Sequence, residues 1–412
     1  MMYKKLSCIA LLASLLIVSC QKDQMLPLSD VEVKMHTPKS FSNDKVKMKT
    51  ATVTITNVET GSQKIRKIKN LGVPFLKVED GTYNLQLDGI LEVTTADLDK
   101  SKVVKEVGVR GMKQNVKVEG GRLTLDLDLY VYNINADLIF SEIYFTGSLN
   151  VDGTAYSEDK FFEIYNNSER DLYADDLCIA ETEFQTDIVL SDLKVDERDK
   201  YTAVSKVYRV GGNGKQFLLK PGESFLIVDR AINHKTINSN SLDLTKANFE
   251  WYDISTTDED TPGVPNMQKM TDTPVEKWSP NDKGQKSFIL FRRKAETTDV
   301  FMKAAAYSYI YTYTENGVKS EINRDAWRIQ NSSIIDAVEC SPKGQFNWKT
   351  LSSQLDIKYF SLSMDDNNRY GHSIRRKVAF IANERPYLID SDNSSTDFIE
   401  SSSPSPGIIE GN

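Results

Sequence analysis

The strongest constraint on the fold is a period-two alternation. From 26 to 133 apolar side chains return at every second position and helical periodicity is almost absent, the mark of strands with one face on a core. Ala51-Thr52-Val53-Thr54-Ile55-Thr56 alternates, is rich in β-branched residues, and runs into Asn57-Val58-Glu59-Thr60-Gly61, a turn. Thr82 to Leu87 follows Asp80-Gly81, and Leu123 to Tyr130 follows Gly120-Gly121. Short strands between glycine turns at this spacing predict a β-sandwich of about a hundred residues.

The β character continues from 136 to 407 with longer connections. Ile139 to Phe145 alternates, as does Phe161-Phe162-Glu163-Ile164-Tyr165, closed by Asn166-Asn167-Ser168. Long inserts occupy 182–214 and 229–282; the second holds Phe249, Trp251, Tyr252 and Trp278 and an acidic run around Asp258-Glu259-Asp260. Long connections inside a compact domain are commonly where function sits. The expectation is an all-β chain of two consecutive β-sandwich domains, 26–133 and 136–407.

Residues 1–19 have the layout of a secretory signal: Lys4-Lys5, an apolar stretch from Leu6 to Val18, then Ser19. Ile17-Val18-Ser19-Cys20 resembles a bacterial lipobox, which implies a lipidated Cys20, with 20–25 as anchor and linker. Acyl chains contribute about 0.8 kcal/mol per buried CH2. Gln21-Lys22-Asp23-Gln24 resembles the short polar signal that sends Bacteroidota lipoproteins to the outer face of the outer membrane, the periplasmic face being the other reading. Cys8 leaves with the signal. Cys178 and Cys340 remain, and an oxidising compartment permits a disulfide between them or two buried thiols.

The formal net charge of −8 becomes −10 when the leader takes Lys4 and Lys5, which argues against nucleic acid as a partner. The early strands are nonetheless locally basic, from Lys45 and Lys47 to Lys67 and Lys69. A solvated strand face accounts for this, and docking to an acidic partner or to membrane headgroups is the alternative.

Two resemblances refine the modules. Val53 to Gly61, and Phe75-Leu76-Lys77-Val78-Glu79-Asp80-Gly81-Thr82-Tyr83-Asn84-Leu85, resemble elements of prealbumin-like, carboxypeptidase-regulatory modules. The usual proline before glycine is Asp80 here. Such modules are spacers without catalysis. Glu142-Ile143, Phe162-Glu163-Ile164-Tyr165-Asn166, Leu218-Leu219-Lys220-Pro221-Gly222, Ile334-Ile335-Asp336, Gly371-His372-Ser373 and Pro404-Ser405-Pro406-Gly407 resemble, in order, the elements of lamin-tail-like immunoglobulin sandwiches. The whole arrangement resembles a poorly characterised Bacteroidota lipoprotein family. That resemblance implies association with TonB-dependent outer-membrane receptors.

Tyr307, Tyr309, Tyr311 and Tyr313 alternate, so a strand places all four on one face. Such a platform stacks sugar rings in a glycan-binding protein, and equally serves cross-strand packing. Trp251, Tyr252 and Trp278 are the loop candidates for ligand contact. Asp390, Asp392 and Asp397 offer calcium-type oxygens, without the glycine and glutamate of an EF-hand loop; the competing account has them closing turns. Gly211-Gly212-Asn213-Gly214-Lys215 lacks the first glycine and final Ser/Thr of a P-loop and predicts a turn. No nucleophile elbow, H-E-x-x-H or C-x-x-C occurs. The chain is expected to be a non-enzymatic outer-membrane lipoprotein, and the family resemblance implies the role of accessory binding protein for a TonB-dependent nutrient transporter. The alternative is a structural or adhesive surface protein without a small ligand, and a glycan hydrolase comes third.

Overall fold

The computed structural model describes residues 27–409, apart from 42–44, 70–73, 97–99, 133–136, 191–192, 252, 254–257, 272–276, 294–296, 316–317 and 363–367. The signal, Cys20 and Tyr252 lie outside the described residues. The architecture is predominantly β, in several sheets.

The alternating segments become strands as expected. Leu28–His36 pairs antiparallel with Phe75–Glu79 and parallel with Arg122–Asp128. Facing this trio is a five-stranded sheet in the order Gln63–Ile68, Lys45–Asn57, Gly81–Ala96, Lys102–Val118, Tyr130–Val131. Every second residue of Gly81–Ala96, from Tyr83 to Leu87 and again from Leu91 to Val93, is buried. These side chains meet Val31, Val33, Leu76, Leu125 and Leu127 from the other sheet in one core. Gly111 is required there: a Cβ would come within 2.8 Å of Leu127. The turn into Arg122–Asp128 uses Gly120 and Gly121 at φ +83° and +91°, a conformation that costs glycine nothing sterically.

The remaining strands form one winding sheet, with thirteen strands among the described residues. It runs from Ile334–Val338 through Phe288–Arg292, Leu177–Thr182 and Tyr201–Arg209 to Asn266–Lys269 and Phe249–Trp251. It continues through Ser224–Val228, Phe161–Asn166, Leu138–Tyr144 and Ser373–Arg376 to Phe398–Ser402. A hairpin, Ala306–Glu315 with Val318–Gln330, branches off Tyr201–Arg209. The sheet curls: Asp336, near one end, accepts the Phe140 N–H at 2.7 Å from a strand far along the order.

The second insert is part of this sheet. Phe249–Trp251 and Asn266–Lys269 pair parallel with each other, and bridge Ser224–Val228 on one side to Tyr201–Arg209 on the other. Without them the sheet would divide into two.

Candidate functional site

The hairpin keeps its tyrosines on one face. The rings of Tyr307, Tyr309 and Tyr311 stack in succession at 5.8 and 6.0 Å. They are not an open platform. Phe184 sets its ring edge against Tyr309 at 5.0 Å, and Leu190 and Leu193 of the first insert pack on the same cluster. The Tyr309 hydroxyl donates to Glu183 at 2.7 Å; burial pushes its pKa upward, with the Glu183 charge adding to the shift. Arg328 lies 4.5 Å over Tyr201 and 5.7 Å from the Tyr307 ring. The Tyr313 side chain lies outside the described ones.

Trp251 and Trp278, expected on loops facing a ligand, are 1% and 2% exposed. This corrects the reading of them as ligand contacts. Trp278 stacks between Phe162 at 5.6 Å and Tyr208 at 4.8 Å, and its indole N–H donates to Glu181 at 3.2 Å. Trp251 packs on both Phe162 and Trp278. Two large rings filling a core are worth several kcal/mol of buried area, which is reason enough for tryptophan at these positions.

Next to the tyrosine cluster a cleft of about 800 Å³ opens between the Lys102–Val118 strand and the later part of the chain. Lys102, Val104, Arg198, Phe346, Trp348 and Gln354 line it. Arg198 lies 3.9 Å over the Trp348 ring, and Phe184 meets that indole at 5.2 Å. Arg198 is in turn held by Asp196, at 2.6 Å from its Nη2, and by the Lys349 carbonyl. Trp348 and Phe346, the latter stacked face to face on Tyr359 at 4.1 Å, are both half-buried at the rim.

The proposed calcium loop is committed to cations from the chain itself. Arg376, fully buried, donates at 2.8 Å to both oxygens of Asp336, lies 3.2 Å from Asp390 and 3.6 Å from Asp397. Asp392 is taken by Lys105 at 3.1 Å. Among the described residues no group of three or more His, Cys, Asp or Glu could hold a metal. The calcium reading of Asp390, Asp392 and Asp397 is therefore corrected to an ionic network, because guanidinium and ammonium groups occupy the positions a cation would take.

Cys178 and Cys340 are free and buried, in separate core clusters. Burial pushes the Cys178 thiol up to about 12 and Cys340 well above its usual range. Of the two cysteine readings, the structure has the buried thiols and not the disulfide. Gly211 to Lys215 is a turn wrapped around Asp175, which accepts N–H groups from Gly214, Gln216 and Phe217. Of the basic strand, Lys64 and Arg66 donate to the Lys77 and Phe75 carbonyls across the two facing sheets.

Sequence reasoning missed the connection between the early sheets and the rest. Arg110 donates to Asp88 at 2.6 Å and to Glu169 at 2.9 Å, and lies 3.8 Å over the Tyr132 ring. Tyr132 and Tyr387 both donate to Glu169 at 2.9 Å. Lys105, reaching the Gln354 carbonyl as well as Asp392, is a second tie. No local pattern marks these residues, since their partners lie far away in sequence.

The chain resembles known proteins as follows. Residues 220–405 match the model of a family of proteins of unknown function, DUF4876. A crystal structure of a DUF4876 family protein from Bacteroides thetaiotaomicron is similar in fold, with a TM-score of 0.59 at 22% identity, covering 92% of this chain and 96% of that one. A candidate adhesin from Bacteroides ovatus aligns over 73% of this chain and 83% of its own, at 10% identity. Its TM-score of 0.19 is too low to bear on fold or role. No curated protein matches the sequence.

Proposed function

We propose that this chain is a non-enzymatic protein of the cell surface with a structural or adhesive role, lipid-anchored in the outer membrane through Cys20. The observation that carries the reading is the use made of the second insert and its aromatics. Its two strands join the halves of the winding sheet, and Trp251 and Trp278 fill the core behind them. The groups expected to hold a nutrient are spent on the scaffold, and the tyrosine face is covered by Phe184, Leu190 and Leu193.

The lipobox-like run before Cys20 supports the anchor, and the signal-like leader supports export. The finer layout we propose is the prealbumin-like module followed by the lamin-tail-like one. Arg110 and Lys105 clamp the two together, as suits a rigid spacer.

The half-buried Phe346 and the cleft beside it favour a second reading, accessory binding for a TonB-dependent transporter. Affinity capture of the chain from detergent-solubilised membranes separates the two. The structural reading expects no β-barrel receptor in stoichiometric amount; recovery of one at a one-to-one ratio would replace it with the accessory reading. Protease treatment of intact cells tests the address, with digestion expected and full protection contradicting surface display.

A further inference from the structure

Asp253 and Lys269 continue the parallel register of the two insert strands. Glu250 stands beside Asn266 and Trp251 beside Met267, and the same offset brings the Asp253 carboxylate onto the Lys269 ammonium. The two side chains are in contact, and are 0% and 6% exposed. The two carboxylate oxygens differ in their surroundings. Oδ2 receives the Trp278 backbone N–H at 2.8 Å and the Tyr208 hydroxyl at 3.0 Å. Oδ1 receives the Lys269 ammonium and the same hydroxyl at 3.0 Å. Tyr208 and Trp278 are themselves stacked in the core, so the donors are fixed and water is excluded.

We propose that Lys269 and Asp253 join in an intramolecular amide bond. In the first step of that reaction one proton passes from Nζ to Oδ1, so that an amine stands beside a carboxylic acid. The nitrogen lone pair attacks Cγ, and the carbonyl electrons move onto Oδ2. There the Trp278 N–H and Tyr208 hydroxyl hold the developing oxyanion, the arrangement that stabilises tetrahedral intermediates. Oδ1 then leaves as water, carrying the proton it received and a second from nitrogen, and the Cγ–Oδ2 double bond re-forms. Three ammonium protons become two on water and one on the amide, so no oxidant, cofactor or activated donor is consumed. Proximity within one rigid site supplies the entropic part of the barrier. The product staples the two strands that hold the winding sheet together, and its existence does not depend on whether the protein is adhesive.

The test is a peptide mass. The full chain is purified, denatured and digested with trypsin. An unmodified chain gives peptide 247–269, ending at Lys269. The amide blocks cleavage there, so the expected main species is peptide 247–277, lighter than its sequence mass by one water, with fragment ions missing between 253 and 269. Asp253→Ala restores cleavage at Lys269, and Tyr208→Phe lowers the cross-linked share several-fold. A wild-type digest whose main species is 247–269 at full mass overturns the proposal and leaves an ion pair.

Discussion

Glu142 and Glu163 stand opposite each other on adjacent strands, both completely buried. The Ser373 hydroxyl and the Ser405 N–H and hydroxyl satisfy Glu142; the Ser224 hydroxyl donates to Glu163 at 2.6 Å. Burial pushes Glu163 up to about 7, and the like charge of Glu142 adds to the shift. Asp229 is raised to about 7, also by burial, against the pull of Lys277.

These shifts set the sign of the pH dependence. A carboxyl whose folded pKa exceeds its unfolded one favours the native state fully below the unfolded value, and loses that contribution as pH rises through the folded value. Between about pH 5 and pH 8 the protein should lose roughly 1–3 kcal/mol from each such site. Melting temperatures across that range should fall with rising pH. Glu163→Gln, which imitates the protonated acid, should flatten the slope. A rising curve, or a slope unchanged in the variant, contradicts the assignment.

Arg376 is the one cation in contact with Asp336, Asp390 and Asp397 among the described residues, and its guanidinium also lies 4.7 Å from the Phe398 ring. Arg376→Met would strand buried carboxylates, a loss on the order of 3–5 kcal/mol. Urea titration should show it at neutral pH, with a smaller deficit near pH 5, because burial raises Asp336 and Asp397 to about 7. Equal deficits at both pH values would argue that packing against Phe398, and not charge, is what matters.

Arg110 couples the early sheets to the rest of the chain through Asp88, Glu169 and Tyr132. Arg110→Ala should cost about 1–3 kcal/mol, because Asp88 and Glu169 keep partial access to water. Differential scanning calorimetry should then resolve two transitions where the parent shows one. A single transition in the variant would mean that the remaining contacts suffice.

The aromatics expected to bind ligand should behave as core. Trp278→Ala should destabilise by about 3–5 kcal/mol. Tyr307→Ala, half-buried at the end of its stack, should cost roughly 1 kcal/mol. Chemical denaturation of the two variants measures both, and a silent Trp278→Ala would return the indole to the list of surface groups.

The β class was legible because alternation is a local property: Thr52 to Ile55 or Leu123 to Leu127 declare their faces within a few residues. The Gly120-Gly121 turn was legible for the same reason. Phe249–Trp251 and Asn266–Lys269 were not, since strands of three and four residues carry no period. The shared face of Tyr307, Tyr309 and Tyr311 was readable, whereas its cover, Phe184 and Leu193, comes from over a hundred residues upstream. Asp390 and Asp397 looked like a cation site because the sequence does not show that Arg376 folds onto them. Glu142 and Glu163 gave a faint signal, an acid inside an otherwise uncharged strand.

The proposed role is surface structure and not nutrient capture. Its most direct test compares cells displaying the chain with cells lacking it, in surface attachment and in growth on single nutrients. Loss should lower attachment or cell-to-cell aggregation several-fold and leave growth rates unchanged. A growth defect confined to one nutrient class, with attachment intact, would contradict it.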